Sequence, residues 1–262
     1  MKLAPEELKA CCAATYEEPA VRWLLGGELH PGGEHATRRA LELIGLRRGE
    51  RLLDVASGNG ASSLLAAREF GATVTGVDYG AEAVRGATAA AMAERLDLRV
   101  RFARGDAEHL ALPDESFDAV LCECSLCTFP DKQRAVDEIA RVLRPGGRVA
   151  IADVVVDHDR LPDELLGSMA TVACVGSALD RCGYEDLLIA ANLEVLAVED
   201  LSADAARFAV RIEERLRGAR LLGLDRFAGS PFDIRDAIEL VRLGRRSIEG
   251  GAVGYAIFAA SR

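Results

Sequence analysis

Leu52-Leu53-Asp54-Val55-Ala56-Ser57-Gly58-Asn59-Gly60 is an apolar run that closes on an acid and then turns through small residues and glycines. It predicts a buried strand, a tight turn and a helix start, with backbone free to approach a ligand at the strand tip. The same logic recurs downstream. Thr73-Val74-Thr75-Gly76-Val77-Asp78 is a second β-branched strand ending in an acid, and Val100-Arg101-Phe102-Ala103-Arg104-Gly105-Asp106-Ala107 follows after a helical segment. A carboxylate after the second strand is placed to accept from both ribose hydroxyls, and one after the third can take an adenine amino donor. Three strand tips together predict a nucleoside site on an open α/β sheet.

Strands at 51–54, 72–78, 99–104, 117–122 and 148–154 alternate with helical segments near 62–70, 81–96 and 131–143. In the last of these, Val136, Ile139, Ala140 and Leu143 share one face. Such a βαβ series implies a parallel sheet with right-handed crossovers. A helix opens at 161–166, a sixth strand is expected at 193–198 and a closing strand at 252–260. The chain therefore divides into an N-terminal helical cap (1–47), a core (48–202), a helical insertion (203–247) and the strand that completes the core (248–262). Val21, Leu24 and Leu25 fall at helical spacing in the cap, ahead of the glycine-hinged loop Gly26-Gly27-Glu28-Leu29-His30-Pro31-Gly32-Gly33. The insertion carries Arg207, Arg211, Arg215, Arg217 and Arg220. These read as a solvated helix face, with a substrate cover or dimer surface as the alternatives.

With 262 residues the chain builds one sizeable α/β core with additions. Its 42 acidic against 32 basic side chains, a net charge of -10, argue against a nucleic-acid partner and for a small-molecule substrate. No apolar run approaches the ~20 residues of a membrane span, and Met1-Lys2-Leu3-Ala4-Pro5-Glu6-Glu7 lacks a signal peptide's apolar core, so no membrane partner and a cytoplasmic location are expected. Seven cysteines in such a chain point to thiols in binding, chemistry or core positions rather than to a disulfide framework.

A nicotinamide site calls for G-x-G-x-x-G or A facing a pyrophosphate. The register here is Gly58-Asn59-Gly60-Ala61-Ser62-Ser63, beside Asp54, a poor neighbour for a dianion. A cofactor with a cationic amino-acid tail suits that acid better. This run, together with Leu143-Arg144-Pro145-Gly146-Gly147-Arg148-Val149, resembles the class I S-adenosylmethionine (SAM) methyltransferases over roughly residues 48–156. The resemblance implies a Rossmann-like, doubly wound, seven-stranded sheet, mostly parallel with an antiparallel last strand. It also implies SAM held by Asp54, Ala56, Gly58, Asn59, Gly60, Asp78, Tyr79, Asp106, Ala107, Cys122 and Glu123. Ala56 stands where many members have glycine.

The fourth strand runs into Cys122-Glu123-Cys124-Ser125-Leu126-Cys127-Thr128-Phe129-Pro130-Asp131-Lys132. The spacing is not that of a structural zinc site, and each thiol taken alone reads as packing. Taken together, Glu123-Cys124 with Pro130-Asp131-Lys132, the run Ala173-Cys174-Val175-Gly176-Ser177-Ala178-Leu179 and the pair Cys11-Cys12 resemble the arsenite methyltransferases. That resemblance implies Cys124, Cys174 and Cys12 as catalytic ligands of a trivalent metalloid. Cys11, Cys127 or a small-molecule thiol such as glutathione is the alternative third sulfur. The chain departs from that family in lacking an aromatic-Gly-Cys-Gly segment before the first strand, in Glu123 where asparagine is common, and in a tail without cysteine.

Three functions follow as expectations. The first is SAM-dependent methylation of a thiolate-bound metalloid. The second is small-molecule C- or O-methylation of the quinone-biosynthesis type, in which His30 or His35 could act as base and the cysteines only pack. The third is SAM or metalloid binding without turnover. Tyr79 is read as an adenine-packing ring or a solvent-facing turn residue.

Overall fold

In a computed structural model, residues 4–166, 175–224 and 233–262 are described. Seven strands make one sheet: β1 (Arg51–Val55), β2 (Thr73–Asp78), β3 (Val100–Arg104), β4 (Phe117–Glu123), β5 (Leu143–Val156), β6 (Glu194–Asp200) and β7 (Val253–Ser261). Their order is β3-β2-β1-β4-β5-β7-β6. Strands β1 to β5 pair in parallel, and β7 runs antiparallel to both β5 and β6. This is the doubly wound sheet with one antiparallel strand that the resemblance implies.

Helices α1 (Pro5–Glu17), α2 (Pro19–Leu25) and α3 (Gly33–Leu43) precede the sheet. Then come α4 (Ala61–Leu65), α5 (Ala81–Ala93), α6 (Lys132–Val142), α7 (Arg181–Ala190), α8 (Ser202–Leu221) and α9 (Ile234–Glu249). Alternation along each strand sends neighbours into two cores. Leu52 and Leu121 join Leu41, Leu65 and Tyr255 on one face, while Leu53, Val120 and Cys122 join Ile139 and Phe258 on the other. Covering both faces is what lets these strands be apolar almost throughout.

Local departures from the expected pattern have local causes. The segment expected as one helix over 62–70 is α4 followed by a π-helical turn, Ala66–Phe70, stopped by Gly71 at φ +68°. Helix α5 ends short of residue 96 because Arg95 takes a left-handed φ of +58°. The arginines of α8 do not form a solvated face throughout. Arg211 Nη2 pairs with Glu28 Oε2 at 2.5 Å, and Arg215 Nη1 donates to the Leu24 carbonyl at 2.8 Å, so the helix is bolted to α2 and the loop after it. Helices α8 and α9 pack on each other through Leu216, Ala219, Ile234 and Ile238. Among the described residues no helix is long and apolar enough to cross a membrane.

Candidate active site

The turn after β1 is wound by three left-handed residues, Ala56 (φ +57°), Gly58 (φ +53°) and Gly60 (φ +81°). Backbone bonds from Ser57 N to Val77 O (3.1 Å) and from Gly60 N to Ser57 O (2.8 Å) hold it against β2. A Cβ on Gly60 would lie 2.6 Å from Phe102 Cζ and 2.9 Å from Ala87 Cβ, so this position must be glycine for steric as well as conformational reasons. Ala56 occupies a conformation that disfavours any Cβ. Ala56→Gly is therefore expected to raise the stability of the protein by about 1 kcal/mol. The test is the urea midpoint, and an unchanged or lower midpoint would rule the strain out.

The three acids of the strand tips have different surroundings. Asp54 is buried and accepts from Ser63 Oγ at 2.6 Å. Burial, helped by the charges of Glu123 and Asp78 and opposed by the bond from Ser63, lifts its pKa to about 7. Asp78 accepts the Gly58 N–H on Oδ2 (2.7 Å) and the Gly80 N–H on Oδ1 (2.8 Å), which ties the β1 turn to the start of α5. Desolvation raises its pKa as well. Asp106 lies lower than an ordinary carboxyl: its burial opposes ionisation, but Lys9 Nζ at 2.8 Å and the Glu108 N–H at 2.9 Å outweigh it.

Two adjoining cavities open above these tips. The first, about 980 Å³ and open to solvent, is lined by Ala56, Gly58, Asn59, Asp78, Tyr79, Asp106, Ala107, Glu123 and Cys124 from the sheet side. Helix α1 covers it with Lys9, Cys12, Ala13, Tyr16 and Glu17, and α2 adds Arg22. The second, about 900 Å³ and likewise open to solvent, is lined by Asp54, Ala56, Ser57, Gly58, Asn59, Ser62, Thr37, His30 and Glu123, among others. Glu123 belongs to both, and its carboxylate accepts from Ser62 Oγ (2.6 Å) and Thr37 Oγ1 (3.0 Å). His30 is buried with Nε2 3.6 Å from Glu123 Oε2, whereas His35 is exposed. The Arg104 guanidinium stands 5.8 Å from the centre of the half-buried Tyr79 ring, on the cleft edge.

Of the residues singled out from sequence for the cofactor, all but Gly60 and Cys122 line one or other cavity. Gly60 lies beneath the turn against Phe102. Cys122 is wholly buried in the second core, its sulfur 3.1 Å from Ser125 Oγ, and burial pushes its thiol up to about 12. A thiol so placed is a packing residue. Of the other cysteines, Cys12 and Cys124 line the first cavity, Cys127 is buried, Cys11 and Cys182 are exposed, and Cys174 lies outside the described residues. Among the described residues no group of three or more His, Cys, Asp or Glu is arranged to hold a metal ion.

Beyond Cys12, what the sequence reading missed is the contribution of α1. Positions 9, 12, 13, 16 and 17 recur at helical spacing and were the available signal, but the helix buries no residue completely and its outward faces are equally polar. Lys9 sits between Asp106 (2.8 Å) and Glu108 (2.5 Å), and Glu17 Oε1 accepts the N–H groups of Glu82 and Ala83 at the start of α5 (3.0 Å each).

A sheet of this order with an antiparallel β7, a left-handed turn after β1 and acids at the next two strand tips defines the class I SAM-dependent methyltransferases. The chain belongs to that family. Residues 53–151 match the family described as "Methyltransferase domain". The chain is 33% identical over 207 residues to the 27-O-demethylrifamycin SV methyltransferase of Amycolatopsis mediterranei, covering 76% of this chain and 74% of that one. It is 35% identical to the methyltransferase GfsG of Streptomyces halstedii over 66% of this chain and 63% of the relative, less than two thirds of its length. With the arsenite methyltransferase of Halobacterium salinarum it shares 39% identity over 60% of this chain and 43% of that one. Among solved structures, the [4+2]-cyclase SpnF superposes with a TM-score of 0.79 at 25% identity, over 99% of this chain and 97% of that one.

The residues present fit SAM. Among the described residues Ser57 Oγ is buried without a hydrogen-bond partner at the turn, and the carboxylates of Asp54, Asp78 and Glu123 line the two cavities, an acceptor set suited to a ligand with hydroxyls and a cationic tail.

Proposed function

We propose that this chain transfers a methyl group from SAM to a small acceptor held by cysteine sulfur, a trivalent metalloid of the arsenite class. The observation that carries the reading is that Cys12 and Cys124, one on α1 and the other just past β4, line the same cleft as Asp78 and Asp106. Asp78, Tyr79, Asp106 and Ala107 would hold the adenosyl part, and Asp54, Ser57 and Glu123 the amino-acid tail. When bound, SAM supplies an electrophilic methyl carbon on its sulfonium.

Soft trivalent arsenic prefers thiolates, and it keeps a lone pair after binding three sulfurs. With that lone pair as nucleophile no side chain has to remove a proton. The task left to the protein is to orient the acceptor and keep water out, which the face of α1 over the cleft is suited to do. Cys174 or a thiol co-substrate such as glutathione would complete the sulfur set.

An S-adenosylhomocysteine-release assay with arsenite, antimonite and a quinol panel, each with and without glutathione, tests the proposal. Arsenite turnover is expected, and Cys12→Ser or Cys124→Ser should lower it at least about tenfold with SAM affinity retained. Turnover of quinols alone, undisturbed by either serine, would overturn it.

A second reading, O-methylation of an organic hydroxyl, is favoured by the buried His30 beside Glu123 and by the name of the rifamycin relative. There His30 is the base, so His30→Ala abolishes turnover of the hydroxyl acceptor and spares arsenite.

A further inference from the structure

The charged lining of the substrate cleft is almost wholly committed. Lys9 is fixed between Asp106 and Glu108, Glu17 caps α5, Asp78 holds the Gly58 and Gly80 N–H groups, and Glu123 is bonded by Thr37 and Ser62. Arg22 differs. It lines the cleft from the last turn of α2, is exposed, and among the described residues makes no ion pair, side-chain hydrogen bond or ring contact. Glu18, the N-cap residue of α2, stands one turn earlier, and among the described residues even that pairing is not formed.

We infer that Arg22 is a specificity residue for the methyl acceptor, and that the acceptor carries an oxyanion, a carboxylate or a phosphate, which meets this guanidinium at the cleft mouth. The chain's net charge of -10 repels such a molecule as a whole. A single uncompensated arginine at the entrance offers one local positive charge against that field, and its planar fork fixes the orientation of a carboxylate or phosphate through paired N–H donors. Because every other charge on the lining already has a partner, an anionic acceptor finds one place to anchor, and the rest of it is directed inward past α1. The inference rests on membership of the methyltransferase family and not on the metalloid reading.

The test is calorimetric titration of protein loaded with S-adenosylhomocysteine, using matched pairs that differ in the anion. These are 3,4-dihydroxybenzoate against catechol, 4-hydroxyphenyl phosphate against hydroquinone, and the glutathione against the 2-mercaptoethanol conjugate of arsenite. At least one anionic member should bind about tenfold tighter than its neutral partner, the size of one charge-assisted contact at a partly exposed site. Arg22→Ala should erase that preference and Arg22→Lys should keep part of it. The first two pairs separate a carboxylate from a phosphate. A preference there with no binding of either arsenic conjugate keeps this inference and sinks the metalloid reading. Equal binding within every pair, no binding by any member, or a preference that survives Arg22→Ala overturns it.

Discussion

Asp78→Ala is expected to weaken SAM binding by about a thousandfold, close to 4 kcal/mol. The loss has two parts. The carboxylate is the acceptor offered to the ribose, and hydrogen bonds to a charged partner contribute roughly 1.5–3 kcal/mol each. It also joins the Gly58 N–H to the Gly80 N–H, so its removal leaves two amides without their acceptor and frees the β1 turn from the start of α5. Asp78→Asn keeps one acceptor oxygen and should fall between, at about thirtyfold. Titration with SAM and with S-adenosylhomocysteine measures both variants. A Kd for the alanine variant within tenfold of the unmodified protein would mean that the adenosyl site lies elsewhere.

The acids of the strand tips were legible because Asp54 and Asp78 each end a short apolar or β-branched run, Asp106 follows the third strand across Gly105, and each precedes a glycine or small residue within two positions. That pattern is local, so Asp54, Asp78 and Asp106 could be placed on strand ends without knowing what packs above them. The antiparallel β7 is less local. It followed from the resemblance of the core, and the register between Val156 and Val253 could not be written from periodicity. Cys122 shows where local reading stops. It is adjacent to Glu123, which faces both cavities, yet strand alternation turns its own sulfur into the core with Phe258 and Ile139. The placing of Cys12 and Cys124 on one cavity is the opposite case. The resemblance named both, but no local pattern between residues 12 and 124 marks it, because it depends on α1 being pinned by Lys9 near its middle and Glu17 at its end.

Those pins also explain why fold alone leaves chemistry open. The sheet tips line the cavity from below, but much of its cover comes from α1 and α2, which bury no residue completely and are tied down by side-chain bonds with only Tyr16 and Leu24 packed on apolar clusters. Such an attachment can change sequence without disturbing the sheet. The likeness to a [4+2]-cyclase at a TM-score of 0.79 is in keeping with a scaffold that serves more than one reaction.

Affinity for SAM is expected to rise about tenfold between pH 6 and pH 8 and then level off, because Asp54 carries a proton in the empty protein up to about pH 7. A cationic tail favours the ionised carboxylate, so binding below pH 7 must expel that proton. Calorimetry at pH 6 in buffers of different ionisation enthalpy should register the release of nearly one proton per SAM. Folding stability without ligand moves the other way. The unfolded chain loses this proton near 3.8 and the folded one near 7, so the contribution is complete below 3.8 and is lost as pH rises through 7. Above that, holding a buried carboxylate beside Glu123 and Asp78 costs about 4 kcal/mol relative to the protonated acid. Asp54→Asn removes the titration while leaving an amide that can still meet Ser63. The variant should therefore be more stable than the unmodified protein at pH 8, bind SAM more weakly there, and show a flat affinity profile from pH 6 to 8. A slope that persists in the asparagine variant would assign the proton to another group, and a flat profile in the unmodified protein would mean that Asp54 is already ionised before the ligand arrives.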